Sequence, residues 1–223
     1  MAKELVEIEE DDSNVGEKAA RRKVELECLL KEGYEGWLND TVVFNFMRMN
    51  LPDCMVVDPI VWNDKGFDMD RYGVPVSRSD FGLGLVLIPV WTDDHWMLAA
   101  LDTQSDLLVY FDTMRNEILP SVRERLIQVT IRLMEAYGDG REVSSERIKV
   151  RSASPKMFPE QRDEDSCGPL TCMMAEAIVN HKPLKFTQKM IHDWRKETYE
   201  YLLNNDPPPV PRRCRKRKSG RSI

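Results

Sequence analysis

The sequence predicts an α+β domain, in which a central mixed sheet of four or more strands is flanked by helices. Three short β-rich runs lie in the middle of the chain, at residues 84–91, 97–102 and 107–112. The segments before and after them carry apolar residues at helical spacing. Of the 223 residues, 42% are hydrophobic and 31% are charged, which suits a folded domain with a substantial core. This order of elements is typical of the α+β class.

The first half of the chain predicts two helices and a hairpin. Residues 17–33 (EKAARRKVELECLLKEG) form a helical pattern with Gly33 as a fitting C-cap. Asn39 or Asp40 can cap a second helix, whose apolar face is Val42, Val43, Phe46 and Met47. Residues 52–80 are rich in Pro, Gly and Asp, and are predicted to be largely irregular. The clusters TDDH and TQSD then separate the three central strands as turns.

The second half predicts three helices and one more strand. Residues 119–140 form an amphipathic helix that a glycine stops, and residues 147–152 form a strand. Residues 168–181 are apolar almost all round, which indicates a buried helix. Residues 186–205 close the domain as the last helix.

The two ends of the chain differ from the body in charge. Residues 1–16 are acidic and are predicted to be a flexible arm before a folded domain at 17–205, and residues 206–223, Pro-rich and then basic, are predicted to be disordered. Residues 212–221 carry seven basic side chains, so the formal net charge of −6 leaves −13 for residues 1–211. Such a body does not resemble a nucleic-acid binder. The basic tail could contact nucleic acid or aid solubility, and we favour a nuclear-import signal.

Several function classes are not expected. No apolar run reaches the length of a membrane span, and the acidic N-terminus lacks the apolar region of a secretory signal. The five cysteines have no paired CxxC spacing, so no zinc site, other metal or cofactor is predicted. Reduced thiols in the nucleus or cytosol are the default for this irregular set: Cys28, Cys54, Cys167, Cys172 and Cys214.

Cys167 is the candidate nucleophile. It lies between the acidic residues 163–165 and an apolar run, at the predicted start of a helix. A cysteine attacks well only as thiolate, which a helix N-terminus favours through its unpaired N–H groups and its dipole. Pro169 needs no N–H in the first turn, and Gly168 leaves room for a substrate backbone. The alternative is a buried structural cysteine, which is our interpretation of Cys172.

A nucleophilic cysteine also needs a base, and His95 is the candidate. It lies between two predicted strands, so its ring can project from the end of a sheet. Asp112 ends the next strand and would lie beside the imidazole, as an orienting carboxylate must. Asp102 competes for this role, but it closes the nearer strand and faces the turn. The remaining histidines are predicted to be solvated or capping residues: His181 and His192.

Four motifs in order resemble the Ulp/sentrin-specific protease family, cysteine proteases that process SUMO and related ubiquitin-like modifiers. They are GWLNDTVVFNFM, LVLIPVWTDDHWMLAALDTQSDLLVYFDTM, QRDEDSCGPLTCMMAEAI and FTQKMIHDWRKETYEYLL. Asp112 follows His95 by 17 residues, Cys167 follows Gln161 by 6, and both separations agree with the family. The resemblance covers about residues 37–203 and implies a papain-like arrangement of the α+β fold.

The resemblance implies a role for each site residue. Cys167 would be the nucleophile, His95 its base and later the acid, and Asp112 the orienting carboxylate. Gln161 would donate its amide N–H, with a backbone N–H near Cys167, to the oxyanion.

The resemblance also implies a substrate site. Trp96, and by analogy Trp37, would form an aromatic tunnel around a terminal Gly-Gly, although each could instead pack in the core. The family usually has Asp before the nucleophile, where this chain has Ser166, yet all four catalytic positions are filled. The acidic residues 163–165 are a solvated loop or, alternatively, meet a basic substrate surface.

The expected function is therefore a cysteine protease that cleaves after the Gly-Gly of a ubiquitin-like modifier, with SUMO as the first choice. It would mature precursors, cleave isopeptide bonds, or both, as a monomer in the nucleus and also in the cytoplasm. The partners would be the modifier and its conjugates, without a membrane. The alternatives are a NEDD8-type protease, an acyltransferase of the same fold, and a non-catalytic module that binds a modifier.

Overall fold

A single mixed sheet organises the protein. The computed structural model describes residues 12–62, 67–69, 73–78, 84–138 and 143–209. Within these residues, five strands lie side by side in chain order: β1 (Met55–Val56), β2 (Leu85–Thr92), β3 (His95–Asp102), β4 (Leu107–Phe111) and β5 (Lys149–Ser152). The predicted α+β class, with a sheet of at least four strands and flanking helices, is confirmed.

The centre of the sheet is an antiparallel meander, and each outer strand is parallel to its neighbour. β2, β3 and β4 pair antiparallel, whereas β1 pairs parallel to β2 and β5 parallel to β4. Thr92 pairs with His95, so the β2–β3 loop has only two residues, Asp93 and Asp94, with φ values of 50° and 56°. Aspartate tolerates this left-handed backbone, which the tightest hairpins require. β3 therefore begins at His95, two residues before the predicted strand.

In the described part of the chain, five α-helices accompany the sheet: α1 (Asp12–Leu26), α2 (Asp40–Asn50), α3 (Pro120–Tyr137), α4 (Cys167–Val179) and α5 (Gln188–Asn204). Side chains alternate along β3, so that Leu98 joins a core with α2, α4 and α5, and Leu101 joins a second core with α3. The Asn39 side chain accepts the N–H of Val42, which confirms one of the two predicted caps of α2. None of the described helices is long and apolar enough to cross a membrane.

The N-terminal helix differs from its prediction at both ends. α1 begins at Asp12, inside the predicted arm, and its C-terminal part is tied to the end of α5 by an ion pair of 2.7 Å between Arg22 and Asp206. The α-helix ends at Leu26, before the predicted C-cap at Gly33, because a 3₁₀ turn follows. Gly33 does have the positive φ of 61°. Residues 1–11 lie outside the described part of the chain.

Two further segments depart from their predictions. The range 52–80, predicted to be largely irregular, contains β1 and a 3₁₀ turn at Pro59–Trp62. The predicted disordered tail begins at residue 206, but Pro208 accepts a hydrogen bond of 2.8 Å from Arg48. Residues 206–209 therefore pack on the domain, and 210–223 lie outside the described residues.

Candidate active site

The helix that carries the candidate nucleophile begins at that residue. Cys167 is the first residue of α4, is 3% exposed, and is preceded by Ser166 at the N-cap. The first N–H groups of an α-helix have no partner within the helix, and Pro169 lacks an N–H altogether. The backbone N–H groups of Cys167 and Gly168 therefore have no partner within the helix. α4 is buried along most of its length, as predicted.

The structure brings the predicted base and its orienting carboxylate together. Nε2 of His95 lies 2.8 Å from Oδ1 of Asp112, and both side chains are buried. Asp112 follows the end of β4, and its Oδ1 also accepts the N–H of Met114 at 2.8 Å. Because Nε2 is engaged with the carboxylate, Nδ1 is the nitrogen left to exchange a proton.

The Cys167 side chain also acts on the pKa of His95. Burial lowers the pKa of His95, but the hydrogen bonds with Asp112 and with the Cys167 side chain outweigh burial and raise it to about 9. For Asp112, burial raises the pKa, and the hydrogen bonds from His95 and from the Met114 N–H hold it below its usual value. The arrangement therefore favours an imidazolium beside a carboxylate, with a cysteine as its other neighbour.

Asp102, the competing carboxylate, serves a turn instead. It ends β3 and accepts hydrogen bonds from the Gln104 N–H at 2.9 Å and from Ser105 Oγ at 2.6 Å. The hydrogen bond from Ser105 contributes most to lowering the pKa of Asp102, and the bond from the Gln104 N–H lowers it further. Asp112 is therefore the carboxylate that lies beside the histidine.

Gln161 is held in place by both ends of its amide. Its Oε1 accepts a hydrogen bond from Thr113 Oγ1 at 3.1 Å, and its Nε2 donates to the backbone oxygen of Asp163 at 2.8 Å. The backbone N–H of Gln161 also donates to the Thr113 oxygen at 2.9 Å. Nε2 also donates to Oδ1 of Asp163 at 3.5 Å, so the second N–H of this amide has only a long hydrogen bond. Thr113 follows Asp112, which ties this side chain to the loop of the histidine's partner.

Trp37, Trp91 and Trp96 form a row of contacting rings, the aromatic wall. Trp91 was not among the tryptophans that the sequence predicted for the substrate site. Trp96 is 1% exposed and donates its indole N–H to the Leu38 oxygen at 2.7 Å. The Trp91 ring packs against it at a tilt of 49°, with ring centroids 4.9 Å apart. Trp37 contacts Trp91 edge-on, with centroids 6.4 Å apart. The pairing of β2 with β3 could have identified Trp91, because a two-residue hairpin loop places it directly opposite Trp96. The exposed Tyr34 extends the row, 4.6 Å from Trp37.

The aromatic wall borders a groove near the start of α4. The groove has a volume of about 360 Å³ and is lined by Leu38, Asn39, Asp40, Pro59, Ile60, Trp62, Trp91 and Trp96. Trp37, predicted as a tunnel residue, does not line this groove, but it contacts Trp91, which does. A larger cavity of about 550 Å³ is bordered by the loop 162–166 and α5. Neither His95 nor Cys167 lines either space, but Leu38 of the groove lies against Gly168, the residue after Cys167.

Gly168 connects the aromatic wall to the nucleophile, in a way that differs from its prediction. A Cβ at this position would lie 2.8 Å from Cγ of Leu38 and 2.9 Å from its Cβ. Leu38 also supplies the oxygen that accepts the Trp96 N–H. The glycine is therefore needed for close packing of α4 against the segment before α2, whereas the sequence suggested an approaching substrate backbone.

Residues 81–205 match the Ulp1 protease family, C-terminal catalytic domain. The chain belongs to the Ulp1 protease family. Sentrin-specific protease 2 of Homo sapiens is 25% identical over 123 residues, which is 54% of this chain and 20% of that protein. The match thus spans about a fifth of the length of the relative.

Solved structures of the family share the fold. The SUMO protease Ulp1, with its catalytic cysteine oxidized to a sulfonic acid, gives a TM-score of 0.62 at 15% identity and covers 88% of this chain and 97% of that chain. The C-terminal Ulp1 protease domain in complex with SMT3, the yeast ortholog of SUMO, gives 0.60 at 15% identity and covers 88% and 96%. Ulp1-like architecture therefore extends well beyond the matched residues 81–205.

The acidic loop before the nucleophile is largely occupied by bonds within the domain. Asp165 is 9% exposed, and its Oδ2 lies 3.4 Å from Arg195 and accepts the Gly33 N–H at 3.0 Å. Asp163 accepts both the N–H and the hydroxyl of Ser166, at 2.9 and 2.6 Å. Two of the three acids are thus committed to the loop itself. Only Glu164 is exposed as a solvated loop residue would be.

Proposed function

We propose that this chain is a cysteine protease that cleaves after the C-terminal Gly-Gly of a ubiquitin-like protein, with SUMO as the modifier. The observation that carries the proposal is the buried pair of His95 and Asp112, 2.8 Å apart, together with the influence of the Cys167 side chain on the pKa of His95. Membership of the Ulp1 family supports the chemistry. The relatives named as SUMO or sentrin-specific proteases, one of them bound to the yeast SUMO ortholog, support the modifier.

In the proposed mechanism, Cys167 loses its proton to Nδ1 of His95. The thiolate attacks the carbonyl carbon of the terminal glycine, and the carbonyl oxygen becomes an oxyanion. The imidazolium then gives its proton to the leaving amine, which is a lysine side chain or a peptide nitrogen, and the acyl group stays on sulfur as a thioester. His95 next removes a proton from water, which hydrolyses the thioester. Asp112 holds the ring in position and favours its charged form throughout.

The oxyanion would be stabilised by Gln161 and by the start of α4. The donors would be the backbone N–H groups of Cys167 and Gly168 and the second amide N–H of Gln161, which would exchange its long hydrogen bond with Oδ1 of Asp163 for one with the oxyanion. Such donors act where charge develops, and one is commonly worth roughly 3–4 kcal/mol of barrier. Thr113 and the Asp163 oxygen fix the amide before substrate arrives, so little reorganisation is required.

The groove beside Trp96 would receive the modifier tail. Glycine is the residue that fits next to packed indole rings, because a Cβ would collide with them. We include Trp37 and Trp96, with Trp91 between them, in the wall that selects Gly-Gly. The basic residues 212–221 would direct the protein to the nucleus, and an even cellular distribution of a fluorescent fusion of residues 205–223 would refute this part.

A probe experiment tests the proposal. SUMO, NEDD8 and ubiquitin that each end in a Gly-Gly vinyl sulfone are incubated with the protein, and adducts are mapped by mass spectrometry. We expect SUMO to label Cys167, Cys167→Ser to abolish the adduct, and Cys172→Ser, which alters a fully buried cysteine one turn away, to keep it.

Other outcomes identify the alternatives. Labelling by NEDD8 alone would make the protein a NEDD8-type protease. Affinity for a modifier without an adduct would make it a binding module. Transfer of an acetyl group to a protein acceptor without cleavage would make it an acyltransferase. Each of these results would contradict the proposed SUMO protease.

A further inference from the structure

One arginine of α5 joins three segments that are far apart in the sequence. Arg195 is 6% exposed. Its NH1 donates to the backbone oxygens of Cys28 at 3.1 Å and Gly36 at 2.9 Å, and its NH2 donates to the oxygen of Asp165 at 2.7 Å. The guanidinium thus satisfies carbonyls in the 3₁₀ turn after α1, in the turn before Trp37, and in the loop before Cys167.

Asp165 completes the junction from the other side. Its Oδ2 lies 3.4 Å from NH2 of Arg195 and accepts the N–H of Gly33 at 3.0 Å. The turn is so close that a Cβ at Gly36 would meet Asp165 Oδ2 at 3.0 Å and the Lys31 oxygen at 2.5 Å. A buried, paired charge that also fills its hydrogen bonds costs little, whereas a charge left without its partner is strongly destabilising.

We propose that Arg195 is a positioning residue that locks the nucleophile loop and the Trp37 segment into one rigid unit. Gly36 directly precedes Trp37, and Asp165 lies two residues before Cys167. One guanidinium thereby fixes the position of the attacking sulfur relative to the aromatic wall that holds the Gly-Gly tail. This inference rests on the proposed function for its catalytic consequence, although the junction itself can be measured without a substrate.

The geometry requires arginine in particular. Its planar fork donates hydrogen bonds to three carbonyls and forms an ion pair with one carboxylate at 3.4 Å, whereas a lysine has three donors on a single atom. Lysine would keep the charge but leave carbonyls of the junction unpaired. Released from the guanidinium, the loop and the turn can shift independently. Shifts of about 1 Å at a reacting group can lower a rate by roughly 100-fold.

The test compares two variants of the junction with a destabilised control. Arg195→Lys keeps the charge and loses the fork, and Asp165→Asn is milder because it keeps an acceptor for the Gly33 N–H. Leu133→Ala removes buried atoms of α3 on the opposite face of the sheet, so it lowers stability without touching the junction. Each protein is assayed for kcat and KM on a SUMO precursor and for alkylation of individual cysteines by iodoacetamide, mapped by mass spectrometry.

Three cysteines report on three different events. Cys28 belongs to the turn that Arg195 holds and is half-buried, so it reports on detachment of that turn. Cys167 reports on the nucleophile. Cys172 is 0% exposed within α4 and reacts only on wider unfolding.

We expect Arg195→Lys to lower kcat at least about tenfold, to speed alkylation of Cys28 at least about threefold, and to change the pH profile of Cys167 alkylation. Cys172 should stay protected, Asp165→Asn should show the same pattern more weakly, and Leu133→Ala should show neither change at Cys28 nor loss of kcat. Native kcat and native Cys28 reactivity in Arg195→Lys would overturn the inference. So would losses accompanied by equal exposure of Cys172, which would mark a purely structural role. If the wild type cleaves no modifier, the proposed function fails, whereas the alkylation pattern still decides the junction.

Discussion

A methyl group added at Gly168 should destabilise the protein through one contact. In the Gly168→Ala variant, the new Cβ would lie 2.8 to 3.0 Å from three side-chain carbons of Leu38. Carbon atoms pack at about 3.5–4.0 Å, so Leu38 has to move. Leu38 is 2% exposed and its oxygen accepts the Trp96 N–H, which leaves it little freedom to do so.

The size of the effect follows from two opposing contributions. Alanine is favoured over glycine within a helix by at most about 1 kcal/mol, and by less in the first turn. Overpacking of a filled core costs about 1–3 kcal/mol. We therefore expect the free energy of unfolding to fall by about 1–2 kcal/mol, and the groove beside Trp96 to be disturbed as Leu38 shifts.

Urea unfolding of a double-mutant cycle provides the assay. Leu38→Ala alone should cost about 2–5 kcal/mol, because it leaves a cavity. Leu38→Ala removes two of the three close carbons but keeps the Cβ, which would lie 2.9 Å from the new methyl group, so Gly168→Ala should cost clearly less in the Leu38→Ala background without becoming neutral. If Gly168→Ala costs the same in both backgrounds, the contact with Leu38 is not the cause and our account of this glycine is wrong.

Three further outcomes concern the residues around the sulfur. Asp112→Asn should lower kcat/KM about 100-fold or more, and its activity should be lost at a lower pH, because the carboxylate is what raises the pKa of His95; an unchanged basic limb would contradict this. The same raised pKa, to which Asp112 and Cys167 both contribute, stabilises the fold fully below pH 6.5 and no longer above about 9, so the free energy of unfolding should fall across that range by more in the wild type than in Asp112→Asn. Parallel pH curves for the two proteins would refute it. Gln161→Ala should lower kcat by about 100- to 1,000-fold with little change in KM, and Thr113→Ala by much less. A change in KM alone would remove Gln161 from the oxyanion site.

The sequence predicted the part of the site that depends on local pattern. Turn clusters separated the central strands, so His95 and Asp112 could be placed at neighbouring strand ends before any coordinates were known. The apolar run after Cys167 marked a buried helix with the sulfur at its start. Their meeting also required the resemblance to a family, because no local signal sets the distance between β3 and α4.

The junction around Arg195 shows why the rest could not be predicted. In the sequence, Arg195 is one cation among several on an amphipathic helix, a pattern typical of a solvated face. Its partner Cys28 lies 167 residues away. Backbone carbonyls carry no sequence signal, so only the packed arrangement of α5 against the turns identifies this side chain. The premature end of α1 at Leu26 has the same origin, because the following turn is shaped by distant contacts.

The serine before the nucleophile is better understood from the structure than from the sequence. Family members usually carry an aspartate at this position, and Ser166 suggested a lost hydrogen bond. In this chain, Asp163 supplies a carboxylate to the same turn, where it accepts the N–H and the hydroxyl of Ser166 and a further bond of 2.8 Å from Gln188. Burial raises the pKa of Asp163, but the bonds from Ser166 outweigh burial and hold it below its usual value. Since the Asp163 backbone oxygen also accepts a hydrogen bond from Gln161, a single residue restrains both the Gln161 amide and the start of α4, so this turn has a carboxylate although Ser166 replaces the aspartate.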